Sequence, residues 1–264
     1  MLTTRFWQYF GAGLVRVYVT GEVQVEHGDT LLREAGLPGR QGRLVLVHLT
    51  LERERAVDAA ELADLLWPDR LPPSSGLALS AIVSKLRTGL GRVGLPRSEV
   101  IASAFGCYQL RLPRDAWVDV EAAASALHEA EGAILAGDPG GAYGGALIAV
   151  TILKRPFLPG EEGEWVEGRR EELTRMLVRA RDAFAQALHA NGETELALNH
   201  AREVVRLEPF RESGYLRLMK LLVAHGDRAE AIRVFEQCRG LLEADLGVRP
   251  TVELEELHRE LLRS

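Results

Sequence analysis

The chain has 264 residues, of which 47% are hydrophobic and 27% are charged, and this composition excludes a largely disordered protein and leaves room for two globular domains. No stretch approaches the roughly 20 uninterrupted apolar residues of a membrane-spanning helix, and the aromatic N-terminus at residues 6–10 lacks the apolar run of a signal peptide, so we expect a cytoplasmic protein. The net charge of −6 argues against a nucleic-acid partner only as an average, because residues 1–115 carry 14 Lys+Arg against 12 Asp+Glu (+2) and the remainder carries 18 against 26 (−8).

Two β-rich runs open the predicted fold at residues 14–19 and 22–26, and the glycines beside them favour the turns of a small antiparallel sheet. A first helix follows, with the periodic residues Leu44, Val45, Val47, His48 and Leu51. A second helix has Asp58 at its N-cap and Glu61 three residues later, which is the spacing of a capping box, and it ends before Pro68.

A third helix and a hairpin complete this part of the chain. The helix is predicted over residues 75–90, and the hairpin pairs residues 100–104 with 107–112 around Phe105 and Gly106. The order of sheet, three helices and closing hairpin predicts a winged-helix DNA-binding domain with an extra N-terminal sheet.

The third helix has one apolar face and one small face without acids. The apolar residues, spaced at 100° each, are Leu79, Ile82, Val83, Leu86 and Leu90. We expect the opposite face to enter a major groove, because no carboxylate there repels phosphate and small side chains allow close approach to the bases. The predicted base contacts are Leu77, Ser80, Ala81 and Ser84. The predicted phosphate contacts are Lys85, Arg87, Thr88, Arg111 and Arg114.

An ordinary amphipathic surface helix with solvated cations is the alternative interpretation of the same pattern. The charge of the surrounding segment favours DNA, because residues 74–114 contain six basic residues and a single acid, Glu99.

The rest of the chain has a helical pattern with a repeat. Residues recur at a spacing of 34 in the pairs Gly192 and Gly226, Ala197 and Ala231, Leu198 and Ile232, and Leu207 and Leu241. This is the tetratricopeptide period, in which antiparallel helix pairs bury their apolar faces by stacking on neighbours. Further helices are predicted at 120–135, 143–153, 163–189 and 252–262. The predicted fold is mainly α, with a winged helix-turn-helix domain over residues 1–115 and an all-α tetratricopeptide-like domain over residues 116–264.

Several short motifs follow one another along the chain: Gly21-Glu22-Val23, Glu61-Leu62, Leu66-Trp67, Val83-Ser84-Lys85-Leu86-Arg87, Tyr108-Gln109-Leu110, Val118-Asp119-Val120, Pro156-Phe157-Leu158, Glu164-Trp165-Val166 and Leu246-Gly247-Val248-Arg249-Pro250. In these motifs the chain resembles the Streptomyces antibiotic regulatory protein family, which joins an OmpR-type winged helix to a bacterial transcriptional activation domain. The resemblance covers nearly the whole chain. It implies a sequence-specific activator that binds promoter direct repeats on double-stranded DNA, pairs with a second copy of itself and contacts RNA polymerase.

Two residues depart from the family pattern, since Leu77 replaces a polar residue and Cys107 replaces the glycine before the wing tyrosine. Together with the acidic net charge, Leu77 motivates an alternative function, a tetratricopeptide-like adaptor whose winged helix does not bind DNA specifically. An enzyme is not expected, because the sequence has no nucleophile elbow, metal-ligand cluster or cofactor loop. We therefore predict no catalytic residues, no cofactor, no metal site and no membrane partner.

Overall fold

A computed structural model describes residues 14–263. The aromatic stretch at residues 6–10, where no signal peptide is expected, lies outside the described residues. The first compact unit runs to Ala122 and also includes residues 155–170, and the remainder of the chain forms the second. Within the described part, no helix has the length and apolar character needed to cross a membrane.

The first unit contains two small sheets and three helices. In chain order its elements are β1 (Val15–Tyr18), β2 (Gln24–His27), β3 (Thr30–Leu32), α1 (Gly39–Leu51), β4 (Val57–Asp58), α2 (Ala59–Leu66), α3 (Ser75–Arg92), β5 (Ile101–Ala104), β6 (Cys107–Leu110) and β7 (Trp117–Val118). The strand orders are β3-β2-β1-β7 and β4-β6-β5, with β7 parallel to β1 and the other pairs antiparallel. The predicted N-terminal sheet, three helices and hairpin are confirmed, whereas β4 and β7 have two residues each and are too short for a periodic signal.

The three helices of the first unit pack on one another, and the residues of α1 from Leu44 to Thr50 are all buried. Asp58 is the N-cap of α2 as predicted, and its carboxylate accepts a hydrogen bond from the Ala60 amide at 2.7 Å. The capping-box prediction for Glu61 is wrong. Its carboxylate binds His48 and Arg55 instead of the N-cap amide, because those donors offer it stronger, charge-assisted bonds.

A buried carboxylate fixes the start of α4 (Asp119–Leu135) to the end of β1. Asp119 is 0% exposed and accepts hydrogen bonds from the amides of Val19, Thr20 and Val120 and from the Thr20 hydroxyl, at 2.7 to 3.0 Å. Four donors replace the water that the carboxylate loses on burial.

Residues 155–170 join the first unit although they follow α4 and α5 (Tyr143–Leu153) in the chain. The Gly21 amide donates to the Pro156 carbonyl at 2.8 Å. Glu161, which is 2% exposed, pairs with Arg40 and Arg43 at 2.5 Å each. Contacts thus group residues 116–122 and 155–170 with the first unit, and the proposed sequence-domain boundary at 115/116 stays a prediction.

The second unit is entirely helical and includes the predicted repeat. Its remaining helices are α6 (Glu164–Ala190), which begins in the first unit, α7 (Thr194–Leu207), α8 (Glu212–His225), α9 (Arg228–Leu246) and α10 (Val252–Arg263). Gly192 and Gly226 have φ of +84° and +94°, a left-handed conformation that suits glycine in the tight turns before α7 and α9. Ala197 and Ala231 are both 0% exposed at equivalent places in those two helices. The 34-residue period therefore corresponds to two successive helical hairpins, and the predicted fold class is confirmed.

Candidate nucleic-acid interface

The inward face of α3 is fixed by apolar burial. Its five predicted apolar residues have exposures of 8% or less: Leu79, Ile82, Val83, Leu86 and Leu90. The helix packs against α1 and α2. Burying a side chain of this kind contributes about 2 kcal/mol, so together these residues determine which side of α3 faces outward.

The outward face of α3 is small, exposed and free of acids. Ser80, Ala81, Ser84 and Lys85 are exposed, and Leu77 near the helix start is 78% exposed. The 18 residues of α3 contain no Asp or Glu. The predicted orientation of the helix is confirmed, and the contact of these residues with bases stays a prediction.

The wing is the hairpin of β5 and β6, which are paired from Ile101 with Leu110 to Ala104 with Cys107. The Tyr108 hydroxyl on β6 lies 3.5 Å from the Ser80 hydroxyl, so the wing reaches the outward side of α3. Tyr108 is a candidate site residue that the sequence reasoning did not select. Its only signal was its place in the wing motif.

Arg87 links α3 to the wing. Its guanidinium donates to the Ile101 carbonyl from Nε at 3.0 Å and from Nη2 at 2.7 Å, and Nη2 also donates to the Ser103 hydroxyl at 3.1 Å. Arg87 was predicted to contact phosphate. The structure places it in a second role, holding the first wing strand against the helix, and leaves its phosphate contact untested.

Thr88 brings a further cation to α3. Its hydroxyl donates to the Ser84 carbonyl at 2.9 Å and accepts from the Arg97 guanidinium at 2.6 Å. The aliphatic stem of Arg97 also runs past Gly91, where an added Cβ would lie 3.4 Å from the Arg97 Cβ. Arg97 was not among the predicted site residues, because nothing in its spacing indicates that the chain returns to the helix.

Arg111 and Arg114 follow the wing and are both exposed. The Arg111 amide donates to the Val100 carbonyl at 2.8 Å, which extends the pairing of the hairpin by one residue and fixes the backbone from which the side chain projects. No hydrogen bond within the described part of the chain joins either side chain to α3. The Arg111 backbone therefore lies at the base of the wing, and Arg114 follows it by three residues.

The cations of this region lack acidic partners. Over residues 14–263, none of the following forms an ion pair with a carboxylate: Lys85, Arg87, Arg92, Arg97, Arg111 and Arg114. Elsewhere in the first unit arginines are paired, as in Arg16 with Glu26 and Arg53 with Glu121. Because no carboxylate neutralises these six side chains, their charge remains available to phosphate.

An ion-pair cluster joins α1 to α2. Glu61 accepts hydrogen bonds from the Arg55 guanidinium at 2.5 and 2.8 Å and from His48 Nε2 at 2.8 Å. These bonds, led by those from Arg55, lower the pKa of Glu61 to about 2.

His48 is 2% exposed, and burial lowers the pKa of its imidazole by more than the hydrogen bond to Glu61 raises it. Nδ1 is buried without a hydrogen-bond partner among the described residues. A second proton on the ring would place an unsatisfied N–H there, so His48 is neutral with its proton on Nε2.

Comparisons with known proteins connect this geometry to transcription regulators. A family model for the bacterial transcriptional activator domain matches residues 118–262. Regulatory protein AfsR of Streptomyces griseus is 31% identical over 264 residues, covering 96% of this chain and 25% of AfsR. Transcriptional regulator RedD of Streptomyces coelicolor is 25% identical over 257 residues, covering 96% of this chain and 72% of RedD. The chain thus spans about a quarter of the length of AfsR and most of the length of RedD.

A solved structure shares the fold. Mycobacterium tuberculosis EmbR in complex with a low affinity phosphopeptide superimposes with a TM-score of 0.83 at 24% identity, covering 96% of this chain and 66% of that one. The similarity extends over both the strand-containing winged unit and the helical unit, and it supports the assignment of the fold.

Proposed function

The chain belongs to the bacterial transcriptional activator domain family, of the Streptomyces antibiotic regulatory protein type, and on this premise we propose that it activates transcription by binding duplex DNA through α3 and the wing. Its relatives are named regulatory proteins, and we infer that this chain likewise has no catalytic activity. It acts in the cytoplasm, where the chromosome is.

The set of unpaired cations around α3 carries the proposal. Lys85, Arg92 and Arg97 surround an acid-free helix face, while Arg111 and Arg114 extend the positive charge past the wing. A chain with a net charge of −6 that keeps these side chains clear of carboxylates has a local surface suited to a polyanion.

Within this surface, some residues contact bases and others contact phosphates. Leu77, Ser80, Ala81 and Ser84 lie on the outward face and contact base edges, with Leu77 or Ala81 placed to touch a thymine methyl group. Lys85, Arg97, Arg111 and Arg114 contact phosphates, and Thr88 acts through its bond to Arg97. Arg87 holds the wing, and its positive charge also attracts the phosphates of the DNA backbone.

Promoter direct repeats, a second copy of the chain and RNA polymerase are the proposed partners beyond a single DNA site. Two copies on a direct repeat would face the same way, and the helical unit, which like other stacked hairpins presents an extended surface, would contact the polymerase.

Salt-dependent binding to a random-sequence 30-base-pair duplex tests the phosphate contacts without requiring a known operator. Lys85→Ala and Arg97→Ala should each weaken binding and reduce the slope of log K against log salt by about one unit, because each removes one phosphate contact. Lys220→Ala is the matched control, since Lys220 is an exposed lysine of the second unit whose loss should leave the slope unchanged. Slopes that do not change in the first two variants would remove these residues from the interface.

Leu77 favours a second candidate function. A leucine that is 78% exposed at the start of α3 also suits a protein partner, as does Leu71, which is 54% exposed in the segment before the helix. A gel-shift titration separates the two functions. The adaptor would retard the promoter next to its own gene only weakly, and no more than any other duplex of the same length. Preferential retardation of that promoter would exclude the adaptor.

A further inference from the structure

Phe105 occupies the tip of the wing with its ring entirely in solvent. Its exposure is 104%, the highest of the large apolar residues that the structure describes. The turn between β5 and β6 has only two residues, Phe105 and Gly106, with φ of +51° and +77°. Both values lie in the left-handed region that a tight hairpin of this kind requires.

Folding gives no reason for phenylalanine at this position. Asn-Gly is the favoured pair in such a turn, and a bulky aromatic residue in the left-handed region is strained. The ring also makes no packing contact that would offset the strain, since it is wholly exposed. A strained residue whose side chain is presented to solvent points to a role outside the fold.

Hydrogen bonds on both sides of the turn hold the wing beside α3. Arg87 on α3 binds the Ile101 carbonyl and the Ser103 hydroxyl. At the other side of the turn, the Ala59 amide donates to the Gly106 carbonyl at 2.9 Å. The ring therefore projects from an anchored hairpin, and little further ordering is needed when it meets a ligand.

The surroundings of the ring are small and mostly uncharged. Ser103, Ala104 and Gly106 flank it in the chain, so the phenyl group is the single bulky feature of the tip. The acid paired with the wing is Asp58, opposite Cys107, and its carboxylate is bound by the Ala60 amide at the N-terminus of α2. That helix end partly offsets its negative charge.

We propose that Phe105 is a wedge that enters the minor groove next to the major groove occupied by α3 and partly unstacks one base step. The inference rests on the proposed function, because the wing faces a minor groove only if α3 reads DNA. A helix fills the wide major groove, so an anchored hairpin beside it meets the phosphates and the narrow minor groove that follow. Apolar side chains inserted there open a base step and bend the duplex.

The wedge supplies a source of sequence preference that the small residues of α3 do not provide. Pyrimidine–purine steps unstack most readily, so the duplexes bound tightest should carry a TA or CA step at the position of the wing, beyond the bases read by α3. The uncharged ring neutralises no phosphate, and its contribution to DNA affinity is therefore independent of salt.

The test uses the full chain and duplexes that it selects from a random-sequence library. Phe105→Asn removes the ring and should keep the turn, because Asn-Gly is favoured there. It should bind the selected duplex about tenfold more weakly, with an unchanged salt slope and a smaller bend between fluorophores at the duplex ends. A 2-aminopurine placed at the wing step should brighten with the unaltered chain and not with Phe105→Asn.

Two variants keep the result interpretable. Phe105→Trp retains an aromatic wedge and should preserve both bend and fluorescence, and Phe210→Asn removes an aromatic residue of the second unit, 47% exposed, without effect on either. A Phe105→Asn protein that binds and bends the selected duplex like the unaltered chain overturns the wedge and leaves the proposed function standing. So does one that loses only polymerase-dependent transcription, which would make the tip a protein contact. Failure of the unaltered chain to select any duplex overturns the proposed function and the wedge together.

Discussion

The described part of the first unit has two sides, and the cationic side chains have carboxylate partners on one of them only. On the side formed by α1 and residues 155–170, Arg40 and Arg43 pair with the buried Glu161. On the side formed by α3 and the wing, Lys85 and Arg97 have no carboxylate partner in the described chain. In one unit, therefore, arginine and lysine stabilise the fold where carboxylates pair with them and remain available to a polyanion where carboxylates are absent.

The largest expected effect is that of Asp119→Ala, a change at a buried carboxylate that stabilises the first unit. The change leaves the amides of Val19 and Thr20 buried without their acceptor, which should lower the free energy of unfolding by about 3 kcal/mol. Urea unfolding followed by tryptophan fluorescence measures it, since Trp117 is two residues away. Asp115→Ala, an exposed acid close by, should change stability by less than about 0.5 kcal/mol. Equal effects of the two variants would refute the view that Asp119 anchors the sheet to α4.

Arg87 lies on α3 and stabilises the wing through its hydrogen bonds to Ile101 and Ser103. Arg87→Lys keeps the charge but loses the paired bonds to Ile101, so we expect about 1.5 kcal/mol lower stability and faster amide exchange in β5. Arg92→Lys, at an exposed arginine of the same helix, is the control and should be nearly neutral.

The opposite outcome would assign Arg87 to DNA binding and not to stabilisation of the wing. If Arg87→Lys preserves stability and DNA affinity while Arg87→Ala lowers the salt slope by about one unit, phosphate contact is its main role.

The smallest expected effect concerns Glu61 and pH. The pKa of Glu61 is lowered to about 2 in the folded state, so its ion pairs stabilise the fold above the ordinary carboxylate pKa near 4.5 and are lost as the pH falls towards 2. Glu61→Gln should cost at most about 1 kcal/mol at pH 7, because the side chain is 35% exposed and solvent screens the pairs. The difference from the unaltered chain should shrink between pH 4.5 and pH 2 in urea unfolding.

His48 acts in the same direction over a higher range. Burial lowers its pKa below the ordinary 6.5, so the neutral ring favours the fold above that value and its contribution falls as the pH decreases from there. Glu54→Gln is the control for Glu61, since the Glu54 side chain is 91% exposed. A difference between Glu61→Gln and the unaltered chain that grows towards pH 2 would contradict the ion-pair explanation.

Much of the fold was predictable because its signals are local. The 100° spacing of Leu79, Ile82 and Leu86 places them on the inward face of α3, as the structure shows. Phe105-Gly106 was placed at the hairpin turn, and the repeated glycines at 192 and 226 marked the starts of two helical hairpins. Each of these features depends on residues that are close in sequence, and the periodicity of the sequence predicts such features directly.

The candidate site was only half predictable for the same reason. Its outward face followed from the helix period, but Arg97, Tyr108 and the anchoring of Arg87 depend on the return of the chain to α3 after the helix has ended. The capping-box prediction for Glu61 failed because Arg55 and His48 compete for the same carboxylate, and sequence spacing does not rank competing partners.

The elements, the faces of the helices, the repeat and the basic segment in an acidic chain follow from the amino-acid order alone, since hydrophobic period and turn chemistry act over a few residues. Only the tertiary structure decided which cations are neutralised and which remain free, and that residues 155–170 complete the first unit. The physical reason is the range of the interactions. Arg40 and Glu161 are 121 positions apart, and the energy of such a pair depends on distance and burial in space, which the order of residues along the chain does not specify.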